Sequence, residues 1–170
     1  MTRESALVLR WATLVLAAFV LQVGVVTDLR PFGVHADLML LVGVCAGLAG
    51  GPSRGAVVGF FAGLLADVML PGPLGISALA VAVAGFGAGA VHEAVMSATR
   101  TLAVGIAAAA SAAGVLLYAS FAQLLGQRSL GDPRLVRIVA IVAVLNAVLS
   151  VPALAASRWA EGDGLRAGAR

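Results

Sequence analysis

Apolar residues along this chain come in long runs broken by short polar clusters. They read as six segments: Leu7 to Val26, Asp37 to Gly50, Gly55 to Leu70, Leu74 to Val91, Thr101 to Leu125 and Leu135 to Ser157. The longest reach about twenty residues, the length that crosses a bilayer core. In lipid a backbone must satisfy its own hydrogen bonds, so such runs are helices. They lack the polar–apolar alternation that a membrane barrel needs. The pattern predicts an all-α membrane protein, a polytopic bundle of six transmembrane helices. It forms a single integral membrane domain over residues 1–160, followed by a polar cytoplasmic tail, 161–170. Segments two to four are short. Sixteen helical residues cover only about 24 Å of a core of about 30 Å. Their ends extend into the loops, or the bilayer thins around them, or some ends stay buried in protein; a long hairpin that re-enters the membrane is a further alternative.

Composition agrees with that reading. Hydrophobic residues make up 61% of the 170 and charged residues only 11%, where a soluble domain carries about 25% charge. Lipid is therefore the solvent for most of the chain. The formal net charge is +3 and every basic residue is an arginine, which reads as genome composition and not as a nucleic-acid surface. The lone Cys45 sits in an apolar run and reads as a small buried hydrophobe. Arg3 and Arg10 ahead of the first run resemble the start of a signal peptide. No small-residue cleavage site follows, so the run reads as a retained first helix.

Charge also orients the bundle. With six spans both termini share one side. That side carries Arg3, Arg10, Arg54, Arg100, Arg158, Arg166 and Arg170, and the other carries Arg30, Arg128, Arg134 and Arg137. The excess places both termini in the cytoplasm. Arg10-Trp11 opens helix one and Arg158-Trp159 closes helix six, which puts both indoles at one interface.

Candidate chemistry is sparse. His92-Glu93 starts like a zinc-protease motif, but Met96 stands where the second histidine belongs. Ser77, in Gly75-Ile76-Ser77-Ala78, has no well-placed base, since His35 and His92 fall at helix ends on opposite sides of the membrane. Asp28, Asp37 and Asp67 share the outer side, but nothing local makes two of them a catalytic dyad. No Gly-rich loop leads into Lys-Ser/Thr, which excludes a nucleotide-hydrolysing site of that type. The residues point to no catalytic group, no metal and no cofactor.

Glycine is the other signal. Gly55, Gly59, Gly63 and Asp67 recur every four positions and line one face of helix three. Gly43, Gly47 and Gly51 repeat the spacing toward the Gly50-Gly51-Pro52 turn. Small residues at this spacing let two helix backbones approach closely in lipid. The face is read either as internal packing or as a groove for a partner's helix. Asp67 lies near the end of its helix, and the turn through Pro71-Gly72-Pro73 brings the start of helix four back beside it. A helix start has unpaired N–H groups and partial positive charge. Asp67 is read as a cap there, with a contact to an external partner or a proton site as the alternative.

The same residues carry a family resemblance. Leu21-Gln22, Gly33, Asp37-Leu38, Gly51-Pro52, then Gly55, Gly59, Gly63 and Asp67, and finally Gly72-Pro73-Leu74-Gly75 with Ala78-Leu79 resemble, in order and spacing, the MreD family of bacterial rod shape-determining membrane proteins. The likeness covers about residues 21 to 80. Ala36 departs from it, because the family commonly has proline before the aspartate. The resemblance implies a multi-pass protein of the bacterial cytoplasmic membrane that belongs to the cell-elongation machinery and is not an enzyme. Its implied partner is an MreC-like single-pass protein, with RodA, a class B penicillin-binding protein and MreB filaments nearby. The family is also similar in fold to the substrate-binding components of energy-coupling-factor vitamin transporters, which sets the alternative function. Those components dock through an Ala-xxx-Ala face in helix one. Ala12, Ala17 and Ala18 do not make that spacing, and the buried polar residues Gln22, Gln123 and Asn146 are few for a polar vitamin.

Overall fold

The computed structural model describes residues 3–26, 33–69, 73–95, 99–127 and 130–162. Among these residues the chain is six helices and no strand. They are α1 (Arg3–Leu21), α2 (Leu38–Gly50), α3 (Pro52–Met69), α4 (Ile76–Ala94), α5 (Arg100–Leu124) and α6 (Leu135–Glu161). A π-helical turn, Gln22–Val26, continues α1.

Among the described residues, four stretches are long and apolar enough to cross a bilayer: Glu4–Gly24, Ile76–Ala94, Arg100–Leu124 and Leu135–Glu161. The chain is an all-α membrane protein. α2 has 13 residues, about 20 Å of helix, too short to span alone. From Met39 to Leu48 every one of its residues is buried, so protein, not lipid, surrounds it.

Two helix boundaries that differ from the sequence reading bear on the packing. α3 begins at Pro52, with Arg54 inside its first turn. Proline suits a helix start because its missing N–H would be unpaired there anyway. α6 runs past Ser157 to Glu161, so the first residue of the expected polar tail is the last helical one. Glu161 is held by two partners: its carboxylate lies 2.8 Å from Arg54 Nε and accepts from Trp11 Nε1 at 3.0 Å. These contacts draw the helix end into the fold. Residues 163–170 of that tail, and with them Arg166 and Arg170, lie outside the described residues, as do Leu70, Pro71, Gly72, Asp28, Arg30, Met96 and Arg128.

The core is a three-helix contact of α2, α3 and α4, and glycine makes it possible. A Cβ added at Gly59 would lie 2.7 Å from the Val81 carbonyl oxygen, and one at Gly85 would lie 2.5 Å from that of Gly55. At Gly55 the obstacle would be the Gly85 carbonyl, at Gly63 that of Ser77 and at Gly47 again that of Gly85. Backbone meets backbone at each of these positions. The small-residue face of α3 is thus filled by α4 and α2 of the same chain, which leaves no room on it for a partner's helix. At the end of α2, Gly51 takes φ of 83°, a conformation that costs glycine little, and its N–H bonds the Gly47 carbonyl.

The model of contact predicts the response to bulk. In Gly59→Leu, membrane insertion should persist because leucine favours lipid, but the side chain must displace the α4 backbone. Overpacking of this kind costs about 1–3 kcal/mol. Thermal unfolding of the detergent-solubilised protein should show a clear fall in midpoint against wild type. An unchanged midpoint would mean that α3 and α4 do not meet through this face.

Candidate functional site

Several buried polar side chains bond the backbone where a helix begins. At the N-terminus of α2, the chain enters the helix through Val34 to Asp37, which is not helical. Such a segment exposes backbone donors and acceptors that lipid cannot satisfy. Two amide side chains take them up. Gln22, in the π-helical turn, accepts from Leu38 N at 2.8 Å and donates to Ala36 O at 3.1 Å. Its Nε2 is also 3.3 Å from His35 Nδ1. From the other side, Asn146 of α6 accepts from Asp37 N at 3.3 Å and donates to Asp37 O at 3.2 Å. It also donates to Ser111 Oγ of α5 at 3.1 Å. Asn146 and Ser111 are wholly buried. Asp37 completes the entry, because its carboxylate accepts from Leu40 N at 2.9 Å and caps α2.

α4 begins in the same way. Gly75 takes φ of 104° and offers no side-chain cap. Asp67, at the end of α3, supplies the acceptor from outside. Its carboxylate accepts from Gly75 N at 2.7 Å, Ser77 N at 3.0 Å and Ala78 N at 3.3 Å. Asp67 is only 5% exposed, so the anion sits against the positive end of the helix with little water to screen it. Pro73 and Leu74 precede this start and are themselves exposed, while Gly72 lies outside the described residues. Ser77 takes part through its backbone N–H.

The residues singled out from sequence therefore fall into separate places. Gln22 and Asp37 lie together at the entry to α2. Asp67 and Gly75 lie together at the entry to α4. Gly55, Gly59 and Gly63 sit in the helix contact, and Gly51 and Pro52 form the turn at the opposite end. There a Cβ on Gly51 would lie 2.6 Å from Glu93 Oε1. Sequence reasoning noted Asn146 only as a buried polar residue and did not find its bonds to Asp37 and Ser111. The signal available was an amide inside an apolar run, which lipid tolerates only with a partner. Glu161 was likewise missed because it was read as tail.

At the α2 and α4 entries a cavity of about 520 Å³ is lined by Gln22, His35, Asp37, Ser77 and Tyr118 among others. Among the described residues no cluster of three or more histidine, cysteine, aspartate or glutamate side chains is placed to hold a metal ion.

The Asp67 geometry separates a cap from a charge that moves protons. Asp67→Asn keeps one acceptor oxygen for the three donors, whereas Asp67→Leu keeps none. Each buried donor left unpaired costs about 1–3 kcal/mol. Thermal midpoints should fall in the order wild type, Asn variant, Leu variant, and complementation of cell shape should follow the same order. Equal loss of function in both variants, with midpoints unchanged, would assign the carboxylate a role other than capping.

No curated protein and no solved structure matches this chain. One family model does, that of rod shape-determining protein MreD, over residues 2–124. The match includes the glycine contact of α2 and α3, the entry at Asp37 and the entry capped by Asp67, and it extends through α4 and α5. With that match spanning well over half of its length, the chain belongs to the MreD family of rod shape-determining proteins.

Proposed function

We propose that this rod shape-determining membrane protein is a scaffold of the bacterial cell-elongation machinery, which binds an MreC-like single-pass partner and thereby helps regulate peptidoglycan synthesis. On this reading RodA, a class B penicillin-binding protein and MreB filaments work nearby, and the protein acts without catalysis. Family membership carries the reading. The use made of the polar residues supports it. Asp67, Gln22 and Asn146 each bond the backbone where a helix begins, which is the work of a rigid frame.

The glycine face of α3 is occupied within the chain, so the partner's helix meets an outer, apolar face. α3 offers Val57, Phe60, Phe61 and Leu64 there, all exposed. Large side chains can dock a helix by dispersion, the main attraction available between apolar surfaces in lipid.

On this reading both termini lie in the cytoplasm. The gathering of arginines at one end supports this. Arg54 pairs with Glu161, the Arg10 guanidinium lies 5.5 Å from the centre of the Trp159 ring, and Arg100 and Arg158 line one crevice between α5 and α6. Positive side chains favour the cytoplasmic side.

Two experiments test these statements. Reporter fusions after Arg170 and within the Gly126–Asp132 connection should report opposite sides, with the C-terminus cytoplasmic. A periplasmic C-terminus would reverse the orientation. Depletion in a rod-shaped host should round the cells, and the tagged protein should recover an MreC-like partner from native membranes. Normal cell shape on depletion, with nanomolar binding of a vitamin by the purified protein, would instead favour a transporter component.

A further inference from the structure

The cavity at the α2 and α4 entries has a chemistry that the scaffold reading does not use. Its volume of about 520 Å³ falls in the range of small-molecule sites, about 300–1,000 Å³. The inner walls are apolar: Leu40 from α2, Val81 from α4, Val115 from α5 and Val142 from α6. Polar groups converge from separate helices, with Asp37 at the start of α2, Ser77 at the start of α4 and Tyr118 on α5. An apolar body with a few polar groups brought together from different elements is the usual build of a ligand pocket.

Among the described residues that line the cavity, Asp37 is the one acidic side chain, His35 stands beside it, and there is no arginine. Asp67 stands behind Ser77, with its carboxylate taken up by the N–H groups of Gly75, Ser77 and Ala78. A phosphate or carboxylate head would meet the Asp37 carboxylate, with only the His35 ring, whose Nδ1 lies 3.0 Å from the Ala36 carbonyl oxygen, beside it among the described residues. An ammonium head would be attracted by Asp37, and a hydroxyl head would bond to it without charge. Tyr118 is half-buried, lines the cavity and has no hydrogen bond to another described residue. A phenol donates and accepts, so it serves either head.

We propose that this cavity binds a small amphiphile, with its apolar ring or chain against Leu40, Val81, Val115 and Val142 and an ammonium or hydroxyl head at Asp37 and Tyr118. The proposal stands apart from the scaffold function and does not depend on it.

Three probes with one ring and different heads test it: tryptamine, tryptophol and indole-3-acetate. Each is titrated by calorimetry into the full chain in zwitterionic lipid nanodiscs, with empty nanodiscs as the blank for partitioning. Tryptamine should bind tightest, and indole-3-acetate about tenfold or more weaker, the effect of about one charge-assisted hydrogen bond. Val115→Phe, which fills the cavity with an apolar ring, should abolish saturable binding of all three while the thermal midpoint stays at or above that of wild type. Tyr118→Phe should weaken tryptamine about tenfold. Asp37→Asn, which retains a helix-capping oxygen, should bring the tryptamine to indole-3-acetate ratio toward one.

No saturable binding of any probe to the folded full chain would overturn the proposal, as would a preference for indole-3-acetate. Wild-type binding by Val115→Phe would also overturn it, because the probes would then sit elsewhere. If no probe binds but Val115→Phe stops recovery of the partner protein, the cavity receives a partner's side chain and the amphiphile proposal fails.

Discussion

Lipid offers a peptide group nothing to bond to, and the places where this chain stops being helical are where that constraint acts. Within a helix the backbone satisfies itself. Between helices it does not, and each buried helix start leaves donors that would cost several kcal/mol apiece in hydrocarbon. The protein answers at the entry to α2 with Gln22 on one side and Asn146 on the other. It answers at the entry to α4 with Asp67, whose single carboxylate receives three N–H groups. Asp67 thus carries a charge in an apolar segment because the donors of α4 need an acceptor more than the bilayer penalises an anion near its edge.

Close backbone approach follows from the same setting. Without a hydrophobic effect between helices in lipid, dispersion must hold them, and dispersion grows only at short range. Glycines on α2, α3 and α4 remove the side chains that would keep the three backbones apart. The short α2 is then enclosed by its neighbours, which shield its ends from lipid. Length and packing are linked here: a helix of 13 residues is tolerable in a membrane protein when protein forms its surroundings.

What was legible in the sequence was local. The six helices could be read from apolar runs, and the spacing of Gly55, Gly59 and Gly63 marked one face. The position of Asp67 eight residues before Gly75 made a cap across one turn a short-range inference. The rest joins residues far apart in the chain. Asn146 meets Asp37 across 109 positions, and Trp11 meets Glu161 across 150. No periodicity encodes such a pairing. The π-helical turn that aims Gln22 at the α2 entry also left no trace in the pattern of apolar residues. The glycine face was read as open to two uses because spacing shows only that a face is small. Which helix fills it is decided by topology.

α6 shows why the long-range pairs matter. It lies beyond the residues matched by the family model, which end at 124, yet it ties the other helices together at two places. Midway along it, Asn146 holds the backbone of Asp37 and the hydroxyl of Ser111, so α2, α5 and α6 share a single buried amide. At its last turn, Glu161 binds Arg54 at the start of α3 and Trp11 in α1, and Trp159 lies beside the Arg10 guanidinium. Removing α6 would leave the Asp37 peptide unpaired in an apolar interior and would free the first turn of α3 from its anion. The residues that place α2 for the glycine contact therefore come partly from the far end of the chain, and the matched segment depends on a helix outside it for its own polar groups to be satisfied.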